Sequence, residues 1–211
     1  MNGVRVIEAE WLDELPHADP RAQHSRRDLV RVNALMGNVR IVAGELARTP
    51  GLRSVAEIGA GDGAFMRAVV RAMGRDDLEM HLVDRQPLGT ITADVFDWLS
   101  DASGPRVDAI VANLFLHHFD DVRIARMLAL VAGRTRAFIA CEPRRSPFAL
   151  AGASLLGLVG CNDVTRHDAV VSVRAGFSGD EISALWPAEA TWRCEERSRG
   201  LFSHGFVARR A

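Results

Sequence analysis

The sequence predicts an α/β fold: a doubly wound, seven-stranded sheet, mostly parallel, with a terminal antiparallel hairpin and an N-terminal helical arm. Three observations carry this. From Leu52 to Pro143, short β-prone apolar runs alternate with segments of helical period, the pattern of right-handed βαβ units. The first strand runs into a glycine-rich turn, "IGAGDGAF", that opens a helix. The end, "ATWRCEERSRGLFSHGFVARR", reads as two strands joined near Gly200.

The arm comes first. Asp19 then Pro20 is a good N-cap and first-turn pair. Leu29, Val32, Leu35 and Met36 recur on one helical face, and Gly37-Asn38 breaks that helix before "VRIVAGELAR" forms a second. The arm or lid is expected to cover residues 1–50, and one globular unit residues 51–211. In that unit "RSVAEIG" is a strand, "DGAFMRAVVRAM" a helix, "EMHLVD" a strand, and "DVFDWLSD" a short helix after "TIT". "VDAIVANL" is a strand, "DDVRIARMLALVAG" a helix, "RAFIACEP" a strand and "PFALAGASLLGLVG" a helix. "SGDEISALWP" has Ser178 and Glu181 at capping-box spacing and stops at Pro187, so a further helix is expected there.

Composition excludes several classes. The chain has 211 residues, 48% hydrophobic and 25% charged, with a formal net charge of −1. No global basic field is present to hold nucleic acid. There is no Lys and no Tyr, so no Lys amine and no phenolic side chain can act in catalysis. The three cysteines, Cys141, Cys161 and Cys194, form no C-x-x-C pair, which argues against a disulfide scaffold and fits a reduced, cytoplasmic setting. The N-terminus has no signal-peptide pattern. The longest apolar run, Phe148 to Cys161, is glycine-interrupted and shorter than the ~20 residues a membrane span needs.

The turn is G-x-G-x-G, at Gly59, Gly61 and Gly63, with Ala64 where a dinucleotide fingerprint needs its third glycine. Asp62 would also sit badly beside a phosphate. Glu57 and Asp62 suit a ligand with a cationic amino-acid end and no phosphate. Asp84 ends the second strand, where a carboxylate can accept from a ribose diol. Asp94, with the N–H of Val95 nearby, can accept from an adenine amino group.

"EIGAGDGAF", "LVD", "ADVF" and "ANLFLHHF" together resemble the successive motifs of class I S-adenosylmethionine-dependent methyltransferases. The resemblance implies a Rossmann-like sheet and S-adenosylmethionine as cofactor. It places Gly59, Ala60, Gly61 and Gly63 under the methionine part with Glu57, Asp84 and Arg85 at the ribose, Asp94 and Val95 at the adenine, and Asn113 and Leu114 at the cofactor edge. "SRRDLVRVNALMGN" and "VTRHDAVVSVRAGFSGDEISALWP" are similar to small ubiquinone-biosynthesis-type methyltransferases and relatives beside bacterial polyketide pathways.

Within that resemblance, the stretch after the fourth strand bears on the acceptor. Asn113-Leu114-Phe115 lacks the prolines of amino-directed nucleic-acid enzymes, a nucleophilic cysteine, and the paired glutamates of the protein-arginine type. Nor does it match the aspartates of the divalent-metal catechol type, so no catalytic metal is expected; adjacent side chains such as His117 and His118 are also expected to diverge. The expected acceptor is a small, largely apolar molecule, with no nucleic acid and no membrane insertion, bound by a monomer or homodimer. O-methylation of a phenolic or polyketide-like hydroxyl is preferred, with C-methylation of a quinol-type ring and a non-catalytic cofactor-binding partner as alternatives. An RNA or protein methyltransferase is a further rival, disfavoured by the neutral charge.

A neutral imidazole can take a phenol proton during attack. The candidates are His117, His118 and His167. Each of the first two is either a base or a ring that orders its loop through backbone or Asp120 and Asp121. His167 and Asp168, as sequence neighbours, are not expected to bond each other's tips. Arg144 either holds an acceptor carboxylate or phenolate or caps a solvated loop. Arg27 and Asn33 belong to a helix that either closes over the cofactor or is laced by ion pairs. The apolar "FALAGASLLGLVG" either walls an acceptor pocket or packs in the core.

Overall fold

A computed structural model of the chain describes residues 4–16, 18–188 and 191–211. Seven strands form one sheet: β1 Ser54–Ile58, β2 Glu79–Asp84, β3 Ile91–Thr92, β4 Ala109–Asn113, β5 Ala137–Pro143, β6 Trp192–Arg199 and β7 Ser203–Arg210. Their order is β3-β2-β1-β4-β5-β7-β6. β1 to β5 pair in parallel, and β7 runs antiparallel to both β5 and β6. The expected fold class is therefore what forms. All residues of β4 and β5 are buried, and their apolar runs Ala109–Ala112 and Ala137–Cys141 suit strands covered on both faces. Order reverses between β1 and β4, so the carboxyl ends of β1, β2 and β4 open a crevice at the switch point.

The helices are α1 Trp11–Glu14, α2 Pro20–Met36, α3 Asn38–Leu46, α4 Ala64–Met73, α5 Val95–Ser100, α6 Asp121–Arg134, α7 Pro147–Ser154 and α8 Asp163–Ala175. One apolar cluster joins α5 and α6 to one sheet face through Phe138, Phe206, Ile110 and Leu128. The other joins α3 and α4 to the opposite face through Val42, Leu46, Met66, Val111 and Ile139. These two clusters are the doubly wound core.

Several elements differ from expectation. The apolar face of α2 does not enter the core: Leu29, Val32, Leu35 and Met36 line a cavity instead. Apart from Ala22, its buried positions are polar. Ser25 Oγ lies 2.8 Å from Thr165 Oγ1, and Asp28 accepts from the backbone N–H of Asn162 at 2.9 Å. Residues 163–175 form α8, a helix unannounced by its β-branched run and capped by Asn162, whose side chain accepts from Thr165 N at 2.9 Å. The segment expected as one helix from Pro147 stops at Ser154 and continues as a 3₁₀ turn, Leu156–Val159.

The helix expected after Ser178 is only a 3₁₀ turn, Ser183–Leu185. Glu181 does accept from Ser178 N at 2.9 Å, as in a capping box. However, it also binds the Arg145 guanidinium, and Glu196 from β6 takes the N–H groups of Ile182 and Ser183. Tertiary acceptors thus satisfy the donors that a helix would have used. Among the described residues, no helix is long and apolar enough to cross a membrane.

Candidate functional site

One cavity of about 820 Å³ opens over the carboxyl ends of β1, β2 and β4 and beneath α2, α7 and α8. Glu57, Gly59, Ala60, Gly61, Asp84, Arg85, Asp94, Val95, Asn113 and Leu114 line one side, so the predicted cofactor residues lie together. Gly63 lies outside the lining and holds the αL position before α4.

The first turn is shaped by Gly59, at φ 70°, against which the Phe115 ring is pressed; an added Cβ would lie 2.1 Å from that ring. Gly59→Ala is therefore expected to cost about 1–3 kcal/mol of stability through overpacking, and to weaken cofactor binding with it. Thermal melts and calorimetric titration check this. Gly61 has nothing within 4 Å of where its Cβ would be, so its face is open to a ligand. The Gly61 N–H donates to Asp84 Oδ2 at 2.8 Å and the Gln86 N–H to Oδ1 at 2.8 Å, which locks the carboxylate at the strand end. Asp94 caps α5 by accepting from Phe96 N at 2.8 Å.

Glu57 is 2% exposed and its Oε2 has no partner. Burial drives its pKa well above the usual 4.5, partly opposed by the Met66 N–H and reinforced by Asp62 and Asp84. A buried carboxyl oxygen without a partner on a cavity wall calls for a partner that the chain itself does not supply.

Leu114, at φ 53°, is the one non-glycine residue with positive φ among the described residues, and it lines the cavity. Such backbone strain persists where surroundings enforce it, commonly at functional sites. Asn113 is held by an amide network: Asn38 donates to Asn113 Oδ1 at 2.9 Å, and Asn113 donates to Asn33 Oδ1 at 3.0 Å. The α2–α3 break is thereby tied to the end of β4.

His117 and His118 also line the cavity, on a 3₁₀ turn, Leu116–His118. His117 Nδ1 lies 2.8 Å from Glu142 Oε2, while Glu142 Oε1 accepts from the N–H groups of Phe115 and Leu116 at 3.0 and 2.9 Å. Glu142 is fully buried at the end of β5, so it fixes both the ring and the turn. Contrary to expectation, the two rings do not diverge: their centroids are 4.2 Å apart. They converge on Glu10, whose carboxylate stands 3.3 Å from His117 Nε2 and 3.4 Å from His118 Nε2.

Glu10 is a residue that sequence reasoning missed, since nothing local marks it. It arrives on an N-terminal strap anchored by Arg5, which donates to Ala175 O at 2.8 Å, to Phe119 O at 3.0 Å and to Asp121 at 2.7 Å. Burial pushes the Glu10 pKa up, but bonds from His117 and His118 outweigh this and hold it well below the usual range. Burial pushes His118 down, but Glu10 outweighs it and raises the pKa to about 9. Neither histidine pairs with Asp120 or Asp121: Asp120 caps α6 and Asp121 binds Arg5.

The remaining predicted residues are scattered. His167 lies outside the lining, stacked on Trp11 at 3.8 Å, and its Nδ1 is 3.0 Å from Asp168 Oδ1 despite being its sequence neighbour. Asp168 also accepts from Trp11 and Leu12 N–H at 2.9 and 3.0 Å, so it docks the strap onto α8. Arg144 donates to Gly200 O at 3.1 Å and Arg27 to Gln23 O at 3.3 Å, and neither lines the cavity. Asn33 does.

No family model and no curated protein matches the sequence. Solved structures do match. A structure of the plantazolicin methyltransferase BpumL in complex with SAH superposes with a TM-score of 0.68 at 9% identity, over 92% of each chain. The two chains share a fold. An O-methyltransferase family protein from Burkholderia thailandensis aligns at TM-score 0.64 and 20% identity, over 92% of this chain and 61% of that one. Mitomycin 7-O-methyltransferase MmcR aligns at 0.63 and 21%, over 95% and 60%. The chain thus spans about three fifths of the length of these two O-methyltransferases, and at such identities the likeness is one of fold. In this fold the crevice at the strand ends carries the glycine-rich turn, and α2, α7, α8 and the strap roof it.

Proposed function

We propose that the chain transfers a methyl group from S-adenosylmethionine to the hydroxyl of a small, largely apolar, phenolic acceptor. One observation carries this reading: the orphaned Glu57, the open Gly61 and the Glu142-backed His117 line a single chamber. The neighbours' names, O-methyltransferases among them, support the same reading.

The residues present fit the cofactor. Glu57 offers an unpaired carboxyl oxygen to a cationic amino group, and Gly61 an unobstructed backbone. Asp84 would hold the ribose hydroxyls and Asp94 would read the adenine. Bound there, S-adenosylmethionine supplies an electrophilic methyl group on a sulfonium.

The chain's own work is alignment, exclusion of water and removal of a proton. Leu12, Leu29, Val32, Leu156 and Val173 supply an apolar wall that suits a ring or alkyl chain and keeps water out. With Nδ1 directed at Glu142, His117 turns Nε2 toward the chamber, and Glu142 is placed to stabilise the imidazolium formed when Nε2 takes a phenol proton. The 3.3 Å contact to Glu10 is long for a charge-assisted bond, so it is a weak contact that an acceptor hydroxyl can replace.

Incubation with methyl-labelled cofactor and a panel of alkylated phenols tests this. Label is expected on a phenolic oxygen. Label on a ring carbon would transfer the reading to carbon methylation, and no turnover despite cofactor binding would favour a non-catalytic partner.

A further inference from the structure

We infer that Glu10, His117 and His118 form a binding site for a late first-row divalent cation of the zinc class, with its open coordination position on the chamber side. The inference stands on the geometry of the cluster and does not depend on methyl transfer.

Three features point to an ion. One ligand atom from each residue lies within 4.8 Å of the other two, a convergence found in no other group of three among the described residues. The separations of 3.3 and 3.4 Å are long for a carboxylate–imidazolium bond. Glu10 also turns a different oxygen to each ring, Oε1 to His117 Nε2 and Oε2 to His118 Nε2, so its carboxylate faces both imidazole nitrogens at once.

The surroundings are those of metal ligands. Each ring has its other nitrogen engaged: His117 Nδ1 with Glu142 at 2.8 Å and His118 Nδ1 with Phe115 O at 3.0 Å. Metal-bound imidazoles characteristically donate this second N–H to a carboxylate or carbonyl, which directs the Nε2 lone pair at the ion. The third ligand is oriented too, because Ser172 donates to Glu10 Oε1. Two imidazoles and one carboxylate suit zinc, cobalt or iron(II) better than magnesium or calcium, which prefer all-oxygen sets.

All three residues line the chamber, so three protein ligands leave the fourth position facing it. An ion and a transferable proton compete for the same Nε2 lone pair of His117, so the two occupancies are alternatives at one atom.

The test uses the full chain, stripped with a chelator and dialysed. Calorimetric titration with Zn²⁺ should show one ion per chain. Co²⁺ should give the intense visible absorption of a low-coordinate site. Glu10→Gln and His118→Asn should each weaken Zn²⁺ binding at least tenfold, with folding checked by circular dichroism. Cys194→Ser, at an exposed thiol remote from the cluster, should leave binding unchanged.

Absence of stoichiometric binding to the wild type would overturn the inference. So would Zn²⁺ affinity that survives both substitutions, or a cobalt spectrum typical of six-coordinate hydrated ion. Methyl transfer measured in parallel with chelator present separates the two ideas, since its persistence or loss leaves the binding isotherm untouched.

Discussion

His117→Ala is expected to lower the rate of methyl transfer roughly 10²–10⁴-fold, the range of general-base contributions, while cofactor affinity stays at the wild-type value. The separation follows from the chamber. The polar partners of His117 are Glu142 and Glu10 rather than any predicted cofactor residue. Truncation also leaves Glu142 Oε2 short of a donor, so a stability loss of about 1–3 kcal/mol should accompany it. Glu142→Gln should reproduce part of the rate loss, because a neutral amide supports an imidazolium poorly. Single-turnover kinetics and calorimetry on the same preparations distinguish the outcomes. Cofactor affinity that falls in step with rate would mean that His117 only orders its turn; an unchanged rate would remove it from the chemistry.

Glu57→Gln is expected to have opposite effects on binding and on stability. Losing a charge-assisted hydrogen bond to the cofactor's amino group should weaken binding roughly 10–100-fold, at about 1.4 kcal/mol per factor of ten. The cofactor-free variant should nonetheless be more stable than wild type at neutral and alkaline pH. Burial raises the folded-state pKa of Glu57 above its usual value of 4.5, so the folded chain holds that proton more tightly than the unfolded chain. Its stabilising contribution is complete below the usual glutamate range and is lost as pH climbs from there toward the raised folded value. The amide that replaces the carboxyl in the variant does not titrate, so the melting temperatures of variant and wild type should converge at acid pH and separate above it. Saturating cofactor should close the gap by stabilising the wild type selectively. A gap that is flat with pH would show that Glu57 is not held in its neutral form.

Much of the strand-end wall of the chamber was legible because its signals are local. "EIGAGDGAF" places its glycines on a strand–turn–helix unit by chain geometry alone, and Asp84 and Asp94 follow at successive strand ends once the sheet is parallel. The acceptor side was less legible. α8 escaped notice because its Val-rich run favours strands, and its helical state comes from the Asn162 cap and from packing on α2 and α7. The short 3₁₀ turn near Ser183 replaced an expected helix because Glu196, a strand away, took its N–H donors. Arg144 and Arg27 looked like acceptor contacts by position in the chain, yet each directs its guanidinium to a backbone carbonyl outside the chamber.

By itself the sequence determined the sheet, its winding and the residues at the switch point, since periodicity, turn glycines and strand-end acids act over a few neighbouring residues. Only the tertiary structure decided what "NLFLHHF" faces. Glu142 reaches His117 across 25 positions and Glu10 across 107, and no local pattern encodes either meeting. Both depend on strands β4 and β5 lying side by side and on Arg5 and Asp168 pinning the N-terminal strap over α8. Side chains so distant in the chain converge because packing fixes their backbones, and two adjacent histidines become a directed cluster only when that packing is complete.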